Sequence, residues 1–394
     1  MTVPHSAARC LFVPPHVIEY LARASGMDTS TPGSAQRTAV LSQQLRDLRQ
    51  AASQDPTSAT PSSSERRTAK GERKIYDDQN TTDFDVKLVR REGEPDTSVT
   101  NVDQAYEHSG AARAYFKDEH GRNSIDDNDL IVNVNVNYDQ DFNNAFWDGT
   151  RLVMGNGDGQ IFVDFAASPD VAGHELTHGV VEFTANLVYK GQSGALNESF
   201  ADVFGSLIEQ NLRGQDFASA NWLIGDEIMG PTLYGEALRS MAHPGTAYDN
   251  PLLGKDPQPD HMSAYYSGPK DNYGVHINSG IVNRAFYLTA SELGTDNAGL
   301  IWYAGLQNLW PTAVFTDAAE VLSAQARSSP GTRRSIARRR RWYAARSAPS
   351  ASCNSDLCYV RWPMNWISGR SCAGTFGSSA CSRTVRPTLE ITMS

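Results

Sequence analysis

Residues 174–178 read His-Glu-Leu-Thr-His, and few pentapeptides restrict a chain more. On an α-helix two histidines four apart project from one face, close enough for both imidazoles to reach one ion. Glu175 stands beside them, where a carboxylate can take a proton from a water held by that ion. Ser168-Pro169-Asp170 supplies a cap, a first-turn proline and a first-turn acid, which places a helix from there through about Val181.

A catalytic zinc site keeps three protein ligands and leaves the fourth position to water. Downstream, Leu196, Phe200, Val203, Phe204, Leu207 and Ile208 trace the buried stripe of a second helix, and Glu198 and Asp202 sit together, four apart, away from much of it. Glu198 is assigned as the third ligand. Asp202 is assigned as the carboxylate that accepts the remaining N–H of a zinc histidine and fixes its tautomer. The competing readings are two surface histidines and a solvated acidic helix face. A zinc-type helix followed by a second helix with this acid pair disfavours both.

The chain has 394 residues, enough for two domains with a cleft between them. No apolar run approaches the ~20 residues of a membrane span. From Met1 to Met27 the short apolar patch Cys10–Val13 is broken at once by Pro14-Pro15, so no standard secretory signal is visible and a cytoplasmic location stays open. The net charge of −10 is uneven: from Arg327 onward there are 12 Arg and only two acids, leaving 23 basic against 43 acidic residues, a net −20, in the rest. A body this acidic does not bind nucleic acid through its overall field. Four of the five cysteines lie in that tail, so the body, with Cys10 alone, has no internal disulfide.

Residues 16–22 form a short helix after a Pro-Pro pair, and a second helical stretch covers Ala39–Ala52. The Ser/Thr/Pro-rich residues 53–74 have a linker composition, so residues 1–52 read as a separate, removable segment. Leu130–Tyr138 alternates with period two, putting Val132, Val134, Val136 and Tyr138 on one face of a strand. The Gly-rich residues 155–160 are expected to join 152–154 and 161–163 as a hairpin. Residues 75–182 are therefore expected to be mainly β up to the zinc helix. Residues 183–326 are expected to be mainly α, with helices at Leu196–Gln210, Ile281–Glu292 and Thr316–Ala326.

The segments HELTH, GALNESFADVFGSLIEQ, LRSMAHPGTAYDNPL and DNYGVHINSGIVNRAFYL resemble the thermolysin family of neutral metallopeptidases over residues 75 to 326. Nineteen residues separate His178 from Glu198, the family's spacing. A metzincin would place Gly and a third His where this chain has Val181 and Thr184. The resemblance implies an α+β, two-lobe fold with the zinc cleft between a mainly β N-terminal lobe and a mainly α C-terminal lobe. It also implies a monomeric, secreted zinc endopeptidase that cuts protein or peptide substrates beside bulky hydrophobic residues, without nucleic-acid or membrane partners. It implies that His276 stabilises the tetrahedral intermediate, with Asp271 orienting it, and that Tyr189 helps hold the oxyanion. Asn144 and Ala145, with Phe146, are similar to the edge strand that pairs with substrate backbone, and Arg239 to the arginine that meets a substrate carbonyl.

The sequence also departs from the family. Asp170 and Glu209 match its calcium site, but Asn221 and Leu223 replace carboxylates and Asp226 a longer acid, so a weak Ca2+ site or none is expected. The front segment around Cys10-Leu-Phe-Val-Pro14-Pro15 resembles the propeptide of the protealysin-like subgroup and would cover the cleft as the enzyme's own partner. Cys10 is expected to pack as a small apolar residue, the other reading being a thiolate that ligates zinc. Residues 327–394, rich in Arg, Ser and Cys, read either as a shifted reading frame or as a basic extension, without the family's last helix. That loss leaves a second function open, a catalytically silent relative that only binds. An Arg-rich tether to nucleic acid or an anionic surface is a third.

Overall fold

The computed structural model describes residues 10–24, 33–54 and 72–328 of the chain. The expectations for the other residues, including most of the linker and nearly all of the Arg-rich tail, lie outside the described residues.

A mixed six-stranded sheet builds the first half. Its strands are β1 (Cys10–Leu11), β2 (Arg73–Asp77), β3 (Lys87–Arg91), β4 (Val132–Val136), β5 (Ala145–Trp147) and β6 (Arg151–Met154), in the spatial order β1-β5-β6-β4-β2-β3. β4 runs parallel to β2 and β6, while β5 is antiparallel to β6. β1 pairs antiparallel with β5, Cys10 opposite Trp147 and Leu11 opposite Phe146, so two residues from the front segment complete the sheet edge.

Val132, Val134 and Val136 are fully buried, as their alternation requires. Asn135 on the other face is also buried, because its amide donates to both carboxylate oxygens of Asp78 at 2.8 and 3.0 Å. One expectation fails here, and one helix was not foreseen. Residues 161–163 do not return as a hairpin: Phe162 bridges to Met229, and the loop's Gly155 and Gly157 amides bond back to Asn144 and Phe142. The first half also contains a 21-residue helix, α3 (Thr100–His120). Its buried side is Val102, Ala105, His108, Ser109, Ala112, Tyr115 and Phe116. Small and polar residues in that stripe blunt the helical period.

Helices α1 (Pro15–Ala24) and α2 (Ser34–Gln54) belong to the front segment; α2 starts five residues before the expected Ala39, just after Gly33. The second half is helical: α4 (Pro169–Glu182), α5 (Gly191–Arg213), α6 (Lys270–Leu293), α7 (Thr295–Leu306) and α8 (Phe315–Ser328). The short ribbons β7 (Leu223–Ile224) with β8 (Arg239–Ser240), and β9 (Asp249–Asn250) with β10 (Gly254–Lys255), connect α5 to α6.

Every residue of α4 is buried. It crosses α5 where Gly173 meets Gly205: a methyl on Gly173 would stand 3.0 Å from the Gly205 Cα, and one on Gly205 2.8 Å from the Asp170 carbonyl oxygen. This close approach brings the side chains of the two helices into one layer. The main core joins both halves through residues such as Trp147, Phe204, Phe286 and Trp302. A smaller cluster of Leu11, Leu45, Tyr138, Phe142, Phe146 and Val153 lies along the sheet edge under β1.

Candidate active site

α4 and α5 present His174, His178, Glu198 and Asp202 to one another, all buried. His174 Nδ1 lies 2.9 Å from Asp202 Oδ1, and His178 Nδ1 lies 2.8 Å from Asn197 Oδ1. A carboxylate and an amide oxygen only accept, so each Nδ1 carries the proton and each Nε2 is left with a lone pair. With both rings neutral, these two Nε2 lone pairs face each other at 3.0 Å. Glu198 closes the group: its Oε2 is 3.6 Å from His174 Nε2 and its Oε1 3.7 Å from His178 Nε2. The buried Oε2 has no hydrogen-bond partner. Converging lone pairs and an unsatisfied carboxylate oxygen fit a divalent cation of the zinc type, since they leave a repulsion that such an ion removes.

Glu175 is near but held differently. One of its carboxylate oxygens lies within 4.8 Å of a ring nitrogen of both His174 and His178, and its Oε2 accepts the Trp147 backbone N–H at 2.8 Å. The sheet edge thus aims the carboxylate across the group.

α6 brings the next residues. Asp271, Asn272, Tyr273 and Gly274 all have left-handed backbone, φ between 49 and 79°, an uncommon turn for non-glycine residues. It folds the Asp271 carboxylate back onto His276: Oδ1 is 2.6 Å from Nδ1, and Oδ2 accepts the His276 backbone N–H at 2.8 Å. Burial alone would lower the His276 pKa, but the Asp271 and Glu198 carboxylates outweigh it and raise the value. Tyr189 Oη donates to Glu198 Oε1 and lies 3.2 Å from His276 Nε2.

Arg239, on β8, is fully buried against Asp202, with Nε 2.9 Å from Oδ2 and Nη2 2.8 Å from Oδ1. Burial pushes the Asp202 carboxyl up, yet Arg239 and His174 together hold it well below the usual carboxylate range. Asn283 of α6 also donates to Asp202 Oδ2, at 2.8 Å. Asn197, Asn283 and the Trp147 amide were not singled out from sequence. Only Asn197 had a signal there, directly before Glu198.

Asn144 and Ala145 hold the chain's own front segment. The Phe12 N–H donates to the Ala145 carbonyl at 3.0 Å. Val13 N–H donates to Asn144 Oδ1 at 2.8 Å, and Asn144 Nδ2 donates back to the Val13 carbonyl at 3.2 Å. Arg239 Nη1 donates to the Phe12 carbonyl at 3.1 Å and His276 Nε2 to that of Leu11 at 3.0 Å. The Phe12 ring sits edge-on to His174, centroids 5.0 Å apart, with the Arg239 guanidinium 5.0 Å from its centroid.

The residues matched to a calcium site pack together near Arg213. Asp170 and Glu209 are buried, and the Arg213 guanidinium joins Glu209 and Glu227 at 3.2 and 2.5 Å. Asn221 donates to Asp226 at 2.9 Å.

Two sequence profiles match, one described as thermolysin metallopeptidase, catalytic domain, over residues 43–182, and one as thermolysin metallopeptidase, alpha-helical domain, over residues 185–342. An extracellular metalloprotease of Pectobacterium carotovorum subsp. carotovorum is 50% identical over 234 residues, 59% of this chain and 67% of that protein. A thermolysin of Alicyclobacillus acidocaldarius subsp. acidocaldarius is 41% identical over 225 residues, 54% of this chain and 38% of that longer protein. The solved precursor of protealysin, a metalloproteinase from Serratia proteamaculans, superposes with a TM-score of 0.70 at 38% identity, covering 83% of this chain and 97% of that one. The chain belongs to the thermolysin family of metallopeptidases.

Proposed function

We propose that this cleft hydrolyses peptide bonds in protein substrates, with zinc held by His174, His178 and Glu198 and with Glu175 as general base. The observation that carries the reading is the pair of Nε2 lone pairs facing each other at 3.0 Å beside the unsatisfied Glu198 oxygen. Zinc bound there would supply the Lewis acidity that polarises the scissile carbonyl and acidifies water. Glu175, aimed by the Trp147 amide, takes the proton of the attacking water and passes it to the leaving amine. His276 and Tyr189 donate to the oxyanion that forms, and Asp271 keeps the His276 ring turned toward it. Asp202 positions His174 and Arg239 together.

Substrate lies antiparallel to β5, its backbone bonded to Asn144 and Ala145 and one carbonyl to Arg239. The Leu11–Phe12–Val13 segment supports this pose, because it makes those bonds. The Phe12 ring lies beside Arg239, His174 and Leu238. Preference for cutting on the amino side of a bulky hydrophobic residue follows from that seat.

In this reading residues 1–52 are a removable propeptide on a short linker to the two catalytic lobes, and the chain acts as an exported monomer. The name of the Pectobacterium relative supports export; among the described residues no helix is long and apolar enough to cross a membrane.

Cleavage of a fluorogenic peptide with Phe after the scissile bond tests the whole. The processed enzyme should cut it and lose activity to a zinc chelator, and Glu175→Gln should lower kcat by about 10²–10⁴-fold. Processed protein with bound zinc and no cleavage would falsify it, leaving the alternative of a silent relative that only binds.

A further inference from the structure

We propose that Cys10 is a fourth protein ligand of the metal centre, so that the uncut chain closes its own site with a thiolate. This rests on the zinc reading above and favours the thiolate reading of Cys10 over the packing one.

The Sγ of Cys10, a His178 ring nitrogen and a Glu198 carboxylate oxygen lie within 4.8 Å of one another, and all three side chains are buried. Strand alternation puts the sulfur there. In β1, Leu11 turns its side chain into the cluster with Tyr138, Phe142 and Phe146, so its neighbour Cys10 must face the opposite side, toward α4 and α5. Cys10 also stands across from Trp147, whose N–H holds Glu175. Independently of the cysteine, the buried Glu198 Oε2 has no hydrogen-bond partner, and the lone pairs of His174 and His178 converge.

A thiolate is a strong zinc ligand, and three ligands plus Cys10 make the closed, four-protein-ligand set of structural sites. Coordination forms one metal–sulfur bond and sends the thiol proton to solvent; no oxidant is involved. Water then has no place to bind. Latency would have two layers: the backbone of residues 11–13 occupies the substrate groove, and Cys10 occupies the position of the reacting water. Cutting the chain between α2 and β2 lets the segment leave and reopens that position.

The test uses the full-length Glu175→Gln chain, which cannot process itself, stripped and reloaded with cobalt(II) or zinc. Cobalt should show ligand-field bands together with a near-ultraviolet thiolate charge-transfer band, and X-ray absorption of the zinc form should show one sulfur at about 2.3 Å. Adding Cys10→Ser should keep the ligand-field bands and remove the charge-transfer band. A companion chain with Cys353→Ser, Cys358→Ser, Cys372→Ser and Cys381→Ser leaves Cys10 as its only thiol and should keep the sulfur signal. That chain decides the matter even where Cys10→Ser does not fold. Bound metal without a sulfur ligand, or a thiolate band that survives Cys10→Ser, overturns the switch and leaves the zinc reading standing. Absence of any bound metal overturns both.

Discussion

His276 Nε2 meets the main-chain oxygen of Leu11 at 3.0 Å. A carbonyl oxygen only accepts, so the ring donates there, and at Nδ1 it faces the Asp271 carboxylate, another acceptor, at 2.6 Å. Both nitrogens therefore carry protons and the ring is an imidazolium, in keeping with its raised pKa. In the uncut chain its donor is spent on the chain's own backbone.

Once the segment is gone, that donor becomes available to an oxyanion. His276→Ala in the processed enzyme should lower kcat by about 10²–10³-fold, the usual effect of removing one oxyanion donor, with little change in KM. Steady-state kinetics on a short peptide check this. An equal loss confined to KM would mean a purely binding role.

Phe12 is fully buried between His174 and Arg239. Truncating a buried Phe to Ala typically costs about 3–5 kcal/mol. A synthetic peptide of residues 10–24 should inhibit the processed enzyme, and the same peptide with Phe12→Ala should do so at least about 10²-fold more weakly. Equal inhibition constants would place the affinity of the segment elsewhere.

Asp202 accepts from His174, Arg239 and Asn283 at once. Asp202→Asn keeps the shape but leaves the Arg239 charge buried without its counter-ion. Breaking a buried pair typically costs about 3–5 kcal/mol, and losing a carboxylate behind a metal histidine typically weakens metal binding by about 10–100-fold. Denaturant melts and zinc titration should show both. A drop in stability with unchanged zinc affinity would separate the Arg239 partnership from the His174 one.

Glu209 and Asp170 lie in a buried acidic group. Burial first, and then the charges of Asp226 and Glu227, with Asp170 acting also on Glu209, pushes Glu209 up to about 8 and Asp170 up to about 6. Unfolded carboxyls titrate near about 4, so between about pH 4 and 8 the folded chain holds protons that the unfolded chain has released. Stability should therefore fall as pH rises through that window, with the loss complete above about 8. Glu209→Gln should flatten the fall. Melting temperatures across that range, wild type against variant, give the answer; a variant curve parallel to wild type refutes it.

Much of the site could be read from the chain because its ligands sit on two regular helices. The 3.6-residue period puts His174 beside His178 and Glu198 beside Asp202, so local geometry alone pairs them. The alternation of Val132, Val134 and Val136 exposed β4 in the same way. Helix α3 was hidden because Ala105, His108, Ser109 and Ala112 fill a buried face without a strong apolar signal. The loop at residues 155–160 looked like a hairpin because its glycines suit one, but the Gly155 and Gly157 amides are taken by the carbonyls of Asn144 and Phe142.

What the sequence by itself determined is the pairing of His174 with His178 and of Glu198 with Asp202, and the helices that carry them, since each pair follows from spacing along one element. Tertiary structure decided the rest. It chose Asn197 as the His178 partner, gave Asp202 its three donors through β8 and α6, and bent residues 271–274 so that Asp271 reaches His276. It also laid Cys10–Val13 along the sheet edge beside those ligands. Each of these joins atoms from segments whose approach depends on how α4, α5 and the sheet pack, and no local period encodes that approach.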